Sequence, residues 1–195
     1  MSTTLEIRTL FRAQQKKLGL DWVTGEQHQE NPVHSSKDDS PEISLVGHLN
    51  LIFRHRVQII GKRELEYLDS LKKNSRKDTI AQLFSGYTSL VVIANRLSVP
   101  DDLKELATAS ATPLLSSNLP SQDIIENLQH YLTSYFAEKI TLHGVFMEVM
   151  GTGVLITGDS SLGQSELALE LITRGPRLIA VDATEFSRVA PDTLM

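Results

Sequence analysis

A short loop bounded by two glycines is the part of this sequence best suited to chemistry. Residues 154–157 are apolar and predict a strand, and residues 166–174 carry an apolar helical face that ends before Gly175. Free backbone N–H groups and the helix dipole favour an anion at the start of a helix, and glycines let the backbone approach it closely. The sequence therefore predicts a phosphate-binding loop, which comprises Gly158, Asp159, Ser160, Ser161, Leu162, Gly163, Gln164 and Ser165.

This loop follows the P-loop pattern G-x-x-x-x-G-K-[ST] except at one position. Ser165 supplies the hydroxyl that holds Mg²⁺ in P-loops, whereas Gln164 stands where the pattern has lysine. Glutamine can donate a hydrogen bond but carries no charge, and losing a charge-assisted contact to phosphate costs about 1.5–3 kcal/mol. The alternative interpretation is a tight strand-to-helix turn that needs glycines for its geometry alone.

An aspartate and a histidine are further candidates. Asp182 ends the apolar run 178–181, which is the usual layout of a Walker-B-like metal ligand or base. The alternative for Asp182 is a turn or helix-cap residue. His143 lies in a predicted strand that begins near Lys139, and its alternative is a half-exposed strand residue without a catalytic role.

Composition limits the classes of function. The 195 residues carry a formal net charge of -5, which offers no electrostatic case for binding nucleic acid or an anionic membrane surface. The absence of cysteine excludes disulfide scaffolds and thiolate nucleophiles and fits a cytoplasmic protein. No apolar stretch approaches the ~20 residues of a membrane-spanning helix, and the first residues lack the apolar core of a secretory signal.

Strands and helices alternate ahead of the loop, which predicts an α/β domain with a mostly parallel sheet over residues 1–137. A polar stretch at 24–44 predicts a long surface loop. A hairpin turning at Gly151 begins a second, P-loop unit over residues 138–195. The predicted strands are 57–60, 89–94 and 114–115, and the predicted helices are 3–18, 63–71, 78–84, 101–109 (capped by Asp101) and 121–136.

Two long segments carry a family resemblance. ITLHGVFMEVMGTGVLITGDSSLGQSELALELITRGPRLIA, at residues 140–180, resembles the nucleotide-binding core of bacterial HPr kinase/phosphorylase. SLVGHLNLIFRHRVQIIGKRELEYL, at residues 44–68, is similar to part of the N-terminal domain of that family. The resemblance therefore runs through nearly the whole chain.

The resemblance implies an enzyme that uses ATP or pyrophosphate with Mg²⁺ to phosphorylate a serine of HPr, the phosphocarrier of the sugar phosphotransferase system. It also implies the reverse phosphorolysis of phosphoserine by inorganic phosphate, a homohexamer and a role in regulating carbon metabolism. By position, residues 158–165 would bind ATP and Ser165 would be a Mg²⁺ ligand. His143 would be the active-site histidine, and Asp182 would take the serine proton and return it during dephosphorylation.

The chain departs from the family pattern at three points. Gln164 replaces the catalytic lysine, Val181 replaces an aspartate beside the catalytic one, and the sequence given ends at Met195, before further elements of the family. These departures motivate an alternative, a catalytically inactive protein of the same family that senses nucleotide or phosphate. An unrelated P-loop enzyme is disfavoured because a whole α/β domain precedes the loop. A second unit of this size is expected to be only marginally stable alone.

Overall fold

A computed structural model describes residues 4–33, 46–48, 56–84, 88–158, 164–190 and 193–194. The chain divides into two compact units, Met1–Leu132 and Thr133–Met195. Within the described ranges, no helix has the length and apolar character needed to cross a membrane.

The first unit, together with the helix that leads out of it, alternates strands with helices, as the sequence predicts. In chain order the elements are β1 (Leu5–Glu6), α1 (Ile7–Leu18), β2 (Leu20–Thr24), a 3-10 turn (Glu26–His28), β3 (Pro32–Val33), β4 (Val46–His48), β5 (Val57–Ile60), α2 (Lys62–Ser70), α3 (Lys73–Leu83), β6 (Leu90–Ile93), α4 (Asp101–Ala109), β7 (Leu114–Ser117) and α5 (Ser121–Phe136).

Five strands of this unit form one sheet in the order β2-β7-β6-β5-β4. The neighbours from β4 to β7 are parallel, and only β2 pairs antiparallel, with β7. All residues of β5 and β6 are buried, as expected for parallel strands covered on both faces. The predicted α/β class with a mostly parallel sheet is confirmed.

One buried cluster joins β5, β6 and β7 to helices α2, α3 and α4, and so holds these helices against the sheet. Helix α1 ends at Gly19, which adopts the left-handed conformation (φ 56°) that glycine tolerates best at a helix end. The buried members of the cluster are Ile60, Leu68, Ile80, Leu83, Phe84, Val91, Ile93, Leu103, Ala107 and Leu114.

Three local predictions for this unit are wrong. The first helix begins at Ile7 rather than residue 3, because β1 pairs with β3 in a two-stranded sheet. That pairing buries Val33 within the stretch predicted to be a surface loop; residues 34–45 lie outside the described ranges. Asp101 is the first helical residue of α4 and not its cap, since the preceding Pro100 already holds the extended cap conformation.

The second unit is an antiparallel sheet with one helix. Its elements are β8 (Glu138–Val149), β9 (Thr152–Ile156), α6 (Gln164–Ile172), β10 (Arg177–Ala190) and β11 (Thr193–Leu194), and the strand order is β11-β10-β8-β9. The predicted hairpin is confirmed: β8 and β9 are joined by Met150 and Gly151, with φ 51° and 79°. Two consecutive positive φ angles are typical of a type I′ turn, which matches the twist of the strands.

Little apolar surface is buried in the second unit. Among its described residues, the buried core consists of Val145 and Met147 on β8 and Ala168 on α6, with Ile156 and Leu171 partly buried against them. The large apolar side chains left exposed among its described residues are Ile140, Met150, Val154, Leu167, Leu169, Ile172, Leu178, Ile179 and Val181.

Candidate functional site

The strand and the helix predicted to frame the glycine loop are both present. Strand β9 ends at Ile156, two residues before Gly158, and α6 begins at Gln164, directly after Gly163. Residues 159–163 and the side chains of Gln164 and Ser165 lie outside the described parts of the structure. The frame therefore has the order of elements that a phosphate-binding loop requires, a strand and then the N-terminus of a helix.

Helix α6 is held against the sheet by one side only. Ala168 is buried against Val145 and Met147, and Leu171 packs partly against the same cluster. Leu167, predicted to share this apolar face, is half exposed. Because Ile156 belongs to the same cluster, the packing ties the start of the loop to the helix that follows it.

The ladder between β8 and β10 brings His143 and Asp182 together. The Nδ1 atom of His143 lies 3.8 Å from Oδ1 of Asp182. Both side chains are open to solvent, with 78% of the His143 side chain and 90% of the Asp182 side chain exposed. A carboxylate and an imidazole this close, and this accessible, can accept or return a proton on a hydroxyl group brought to them.

The register of the ladder assigns these two residues to opposite faces of the sheet. Asp182 is paired with Gly144, and Ala183 is paired with His143. Residues directly opposite one another in an antiparallel pair share a face, and neighbours along a strand alternate. A regular strand would therefore project the Asp182 side chain away from His143.

Two contacts lie on the faces that the register assigns to them. Lys139 Nζ donates a hydrogen bond of 2.8 Å to Glu185 Oε1, and both residues share the face assigned to His143. The rings of Phe146 and Phe186 meet edge to face on the opposite face, with centroids 5.2 Å apart. The same ladder has a register shift between Leu178 and Ala180, a further irregularity close to Asp182.

The backbone of Asp182 explains the departure. Its φ of 79° lies in the left-handed region, which costs a non-glycine residue about 1–2 kcal/mol. This conformation breaks the alternation of β10 and allows the carboxylate to reach the His143 side. Strained backbone of this kind is concentrated at functional sites.

One prediction about Asp182 is wrong. The strand predicted over residues 178–182 does not end at the carboxylate, because β10 continues to Ala190 and pairs with β8 along eleven positions, from Arg177 to Arg188. Asp182 lies near the middle of this strand. Its neighbours Val181 and Ala183 are exposed as well, so the exposure of Asp182 does not depend on a strand end.

Gly144 lies at the point where three parts of the site meet. It is paired with Asp182 on one side, follows His143 in the chain, and approaches β9 on the other side. A Cβ atom built on Gly144 would lie 2.3 Å from the carbonyl oxygen of Ile156. Sequence reasoning missed this residue, although a glycine inside a strand pattern is the available signal for close backbone approach.

A search of the described side chains finds no group of three or more His, Asp or Glu residues able to hold a metal ion. Among the described side chains, the exposed carboxylate of Asp182 is an oxygen donor at the site. Oxygen donors suit a hard cation such as Mg²⁺, which usually takes one or two protein ligands together with substrate phosphates. The chemistry of this donor is therefore compatible with Mg²⁺.

Comparison with family models matches both parts of the chain. The model described as HPr Serine kinase N terminus matches residues 5–132, and the model described as HPr Serine kinase C-terminal domain matches residues 134–195. The first match alone covers more than half of the chain.

Curated relatives match the chain over its whole length. Two proteins called HPr kinase/phosphorylase, from Xylella fastidiosa (strain M12) and Xanthomonas axonopodis pv. citri (strain 306), are 42% and 41% identical to it over 194 residues. These alignments cover 100% of this chain and 61% of each relative, so the chain spans about three fifths of the length of the proteins it matches.

Proposed function

Because the chain belongs to the HPr serine kinase family, we propose that it phosphorylates a serine of HPr with ATP or pyrophosphate, and reverses the reaction with inorganic phosphate. The observation that carries the proposal is the His143–Asp182 pair, open to solvent in the same unit as the strand–loop–helix frame. An exposed proton acceptor is what a protein substrate requires, because a serine on another protein must reach it.

Asp182 is the residue we assign to proton transfer. In the kinase direction its carboxylate accepts the proton of the serine hydroxyl while the serine oxygen bonds to the terminal phosphorus, and the bond to the leaving phosphate oxygen breaks. In the reverse direction an oxygen of inorganic phosphate attacks the phosphoserine phosphorus, and Asp182 returns the proton to the serine oxygen. His143, whose Nδ1 atom lies 3.8 Å from the carboxylate, is the neighbouring polar group that would help to orient it.

Residues 158–165 are the proposed phosphate-binding loop, and Ser165 is the residue that would hold Mg²⁺. Bound there, Mg²⁺ would neutralise charge on the transferring phosphoryl group. The backbone N–H groups at the start of α6 would bind the phosphate oxygens and fix their orientation. Gln164, at the position of the catalytic lysine, would donate an uncharged hydrogen bond.

The partners belong to the same proposal. HPr is the protein substrate, a homohexamer is the assembly and the regulation of carbon metabolism is the biological role, all carried over from the family resemblance. A cytoplasmic location accompanies the use of ATP.

The proposal is tested by incubating the chain with HPr, ATP and Mg²⁺ and detecting phosphoserine by mass spectrometry. We expect one phosphorylated serine on HPr, and its loss with release of pyrophosphate when inorganic phosphate is added in excess. ATP binding without any phosphoserine would contradict the proposal and would identify a nucleotide sensor instead.

A further inference from the structure

We propose that Gly144 is a positioning residue, which sets the distance between the strand that leads into the phosphate loop and the strand that carries Asp182. The inference rests on the proposed function, since it assigns a second role within the same site. Gly144 has no side chain to contact a substrate, so any effect it has on the site acts through the backbone around it.

Strand β9 approaches Gly144 closely at its last residue. A Cβ atom at this position would lie 2.3 Å from the Ile156 carbonyl oxygen and 3.2 Å from its carbonyl carbon. These are backbone atoms, so a rotamer change cannot relieve the overlap, and β9 itself would have to move. Ile156 is the last residue of β9 and lies two residues before Gly158, so a shift there passes directly to the start of the loop.

Gly144 is also paired with Asp182 across the ladder. The two residues are directly opposite in the ladder, and both have unusual backbone, with φ 157° at Gly144 and φ 79° at Asp182. The left-handed residue that brings the Asp182 carboxylate to His143 thus lies opposite a position of β8 that also approaches the end of β9. A change at Gly144 would therefore displace both the end of β9, which leads into the phosphate loop, and Asp182.

The sequence offers a matched control in the same hairpin. Gly151 also has a left-handed backbone, with φ 79°, but no atom lies within 4 Å of a Cβ built on it. Alanine at Gly151 therefore brings backbone strain without steric overlap. Alanine at Gly144 brings the overlap with β9.

The experiment compares Gly144→Ala with Gly151→Ala in the full chain, by HPr phosphorylation kinetics and ATP affinity. We expect Gly144→Ala to lower kcat by about tenfold to 100-fold, the loss typical of an ångström-scale misplacement, while KM for HPr changes little. Gly151→Ala should keep the kcat of the unsubstituted chain. Equal kcat values in the two variants, or a loss seen only in KM, would overturn the proposal.

A second measurement uses the unsubstituted chain and covers the case in which Gly144→Ala does not fold. In ¹⁵N-resolved NMR spectra, titration with ATP should shift the amide resonances of Gly144, Asp182 and Gly158 with the same midpoint ATP concentration. The amide resonance of Gly151 should not shift. A shift at Gly158 with none at Gly144 and Asp182 would refute the positioning role. ATP binding at Gly158 without turnover would instead count against the proposed function alone.

Discussion

The imidazole of His143 and the carboxylate of Asp182 lie 3.8 Å apart, although the strand register places them on opposite faces of the sheet. The left-handed backbone of Asp182 reconciles the two observations. Asp182, the proposed proton acceptor, thus keeps a backbone conformation that costs stability. This is expected where the geometry of a functional site requires a strained backbone.

The strain at Asp182 should be measurable as stability. The left-handed conformation destabilises alanine by about 1–2 kcal/mol but does not destabilise glycine. After the entropy cost of glycine is subtracted, Asp182→Gly should be more stable than Asp182→Ala by about 0.5–1 kcal/mol. The measurement is the free energy of unfolding from denaturant titration of the full chain.

Glu185 on the same strand provides the control for that comparison. The φ angle of Glu185 is not positive, so its backbone suits an ordinary residue. Glu185→Gly should therefore be less stable than Glu185→Ala by about 0.5–1 kcal/mol. If glycine is also the less stable substitution at position 182, the backbone of Asp182 is not strained.

The Arg76–Asp102 pair should make the first unit sensitive to acid. Hydrogen bonding to Arg76 lowers the pKa of Asp102, with Arg76 Nε 2.6 Å from Oδ2 of Asp102. A lowered folded-state pKa contributes stability that is complete above the unfolded pKa of about 3.9 and is lost as the pH falls through the folded value. Since Asp102 is partly exposed, we expect Asp102→Asn to cost about 1 kcal/mol at pH 7 and to reduce the loss of stability below pH 4.

Asp101 is the matched control for this pH experiment. It lies in the same helical turn, but its ion pair is with the exposed Lys104 at 3.1 Å. Asp101→Asn should therefore leave the acid dependence of unfolding nearly unchanged. Identical pH profiles for Asp101→Asn and Asp102→Asn would rule out a special contribution from Arg76.

Restoring the lysine of the P-loop pattern should strengthen nucleotide binding. A charge-assisted hydrogen bond to phosphate contributes about 1.5–3 kcal/mol, so Gln164→Lys should lower the Kd for ATP by about 10- to 100-fold. Isothermal titration calorimetry measures the Kd, and Gln164→Met, of similar length without charge, is the control. An unchanged Kd in Gln164→Lys would mean that residue 164 does not approach the phosphates.

The second unit should open more readily than the first. Its buried core consists of Val145, Met147 and Ala168, whereas the cluster of the first unit draws on three strands and three helices. Regions with few buried apolar contacts exchange their amide hydrogens at lower free energy. Hydrogen exchange should therefore show faster exchange in β8 and α6 than in β5 and β6, and equal protection in both units would contradict this expectation.

Much of the fold could be predicted because its signals are local. The run Leu90–Ile93 is continuously apolar, and Val57–Ile60 is apolar except for Gln58, as is typical of buried parallel strands. Gly19 and Gly151 stand where positive φ angles are needed. Pairing between distant segments could not be read in this way. Val33 becomes buried only because it pairs with Leu5, and nothing in its polar surroundings indicates that partner.

The sequence names candidate residues for the site but does not predict their geometry. The pattern of the sequence indicates His143 and Asp182 as candidates, yet their meeting depends on a register and on a left-handed residue inside a long strand. Aspartate adopts the left-handed conformation more readily than most residues. The sequence therefore permits this conformation at position 182 but does not predict it. The role of Gly144 likewise depends on the distance to a backbone atom of another strand.

The most direct test of the account is the rate of HPr phosphorylation by Asp182→Asn, measured beside Glu185→Gln in the full chain. Both substitutions remove an exposed carboxylate from β10, but only Asp182 lies beside His143, while Glu185 is paired with Lys139. We predict that Asp182→Asn lowers kcat by about 10²- to 10⁴-fold, the contribution typical of a general base, and that Glu185→Gln leaves it unchanged. Equal rates for the two variants would contradict the assignment of Asp182 as the proton acceptor.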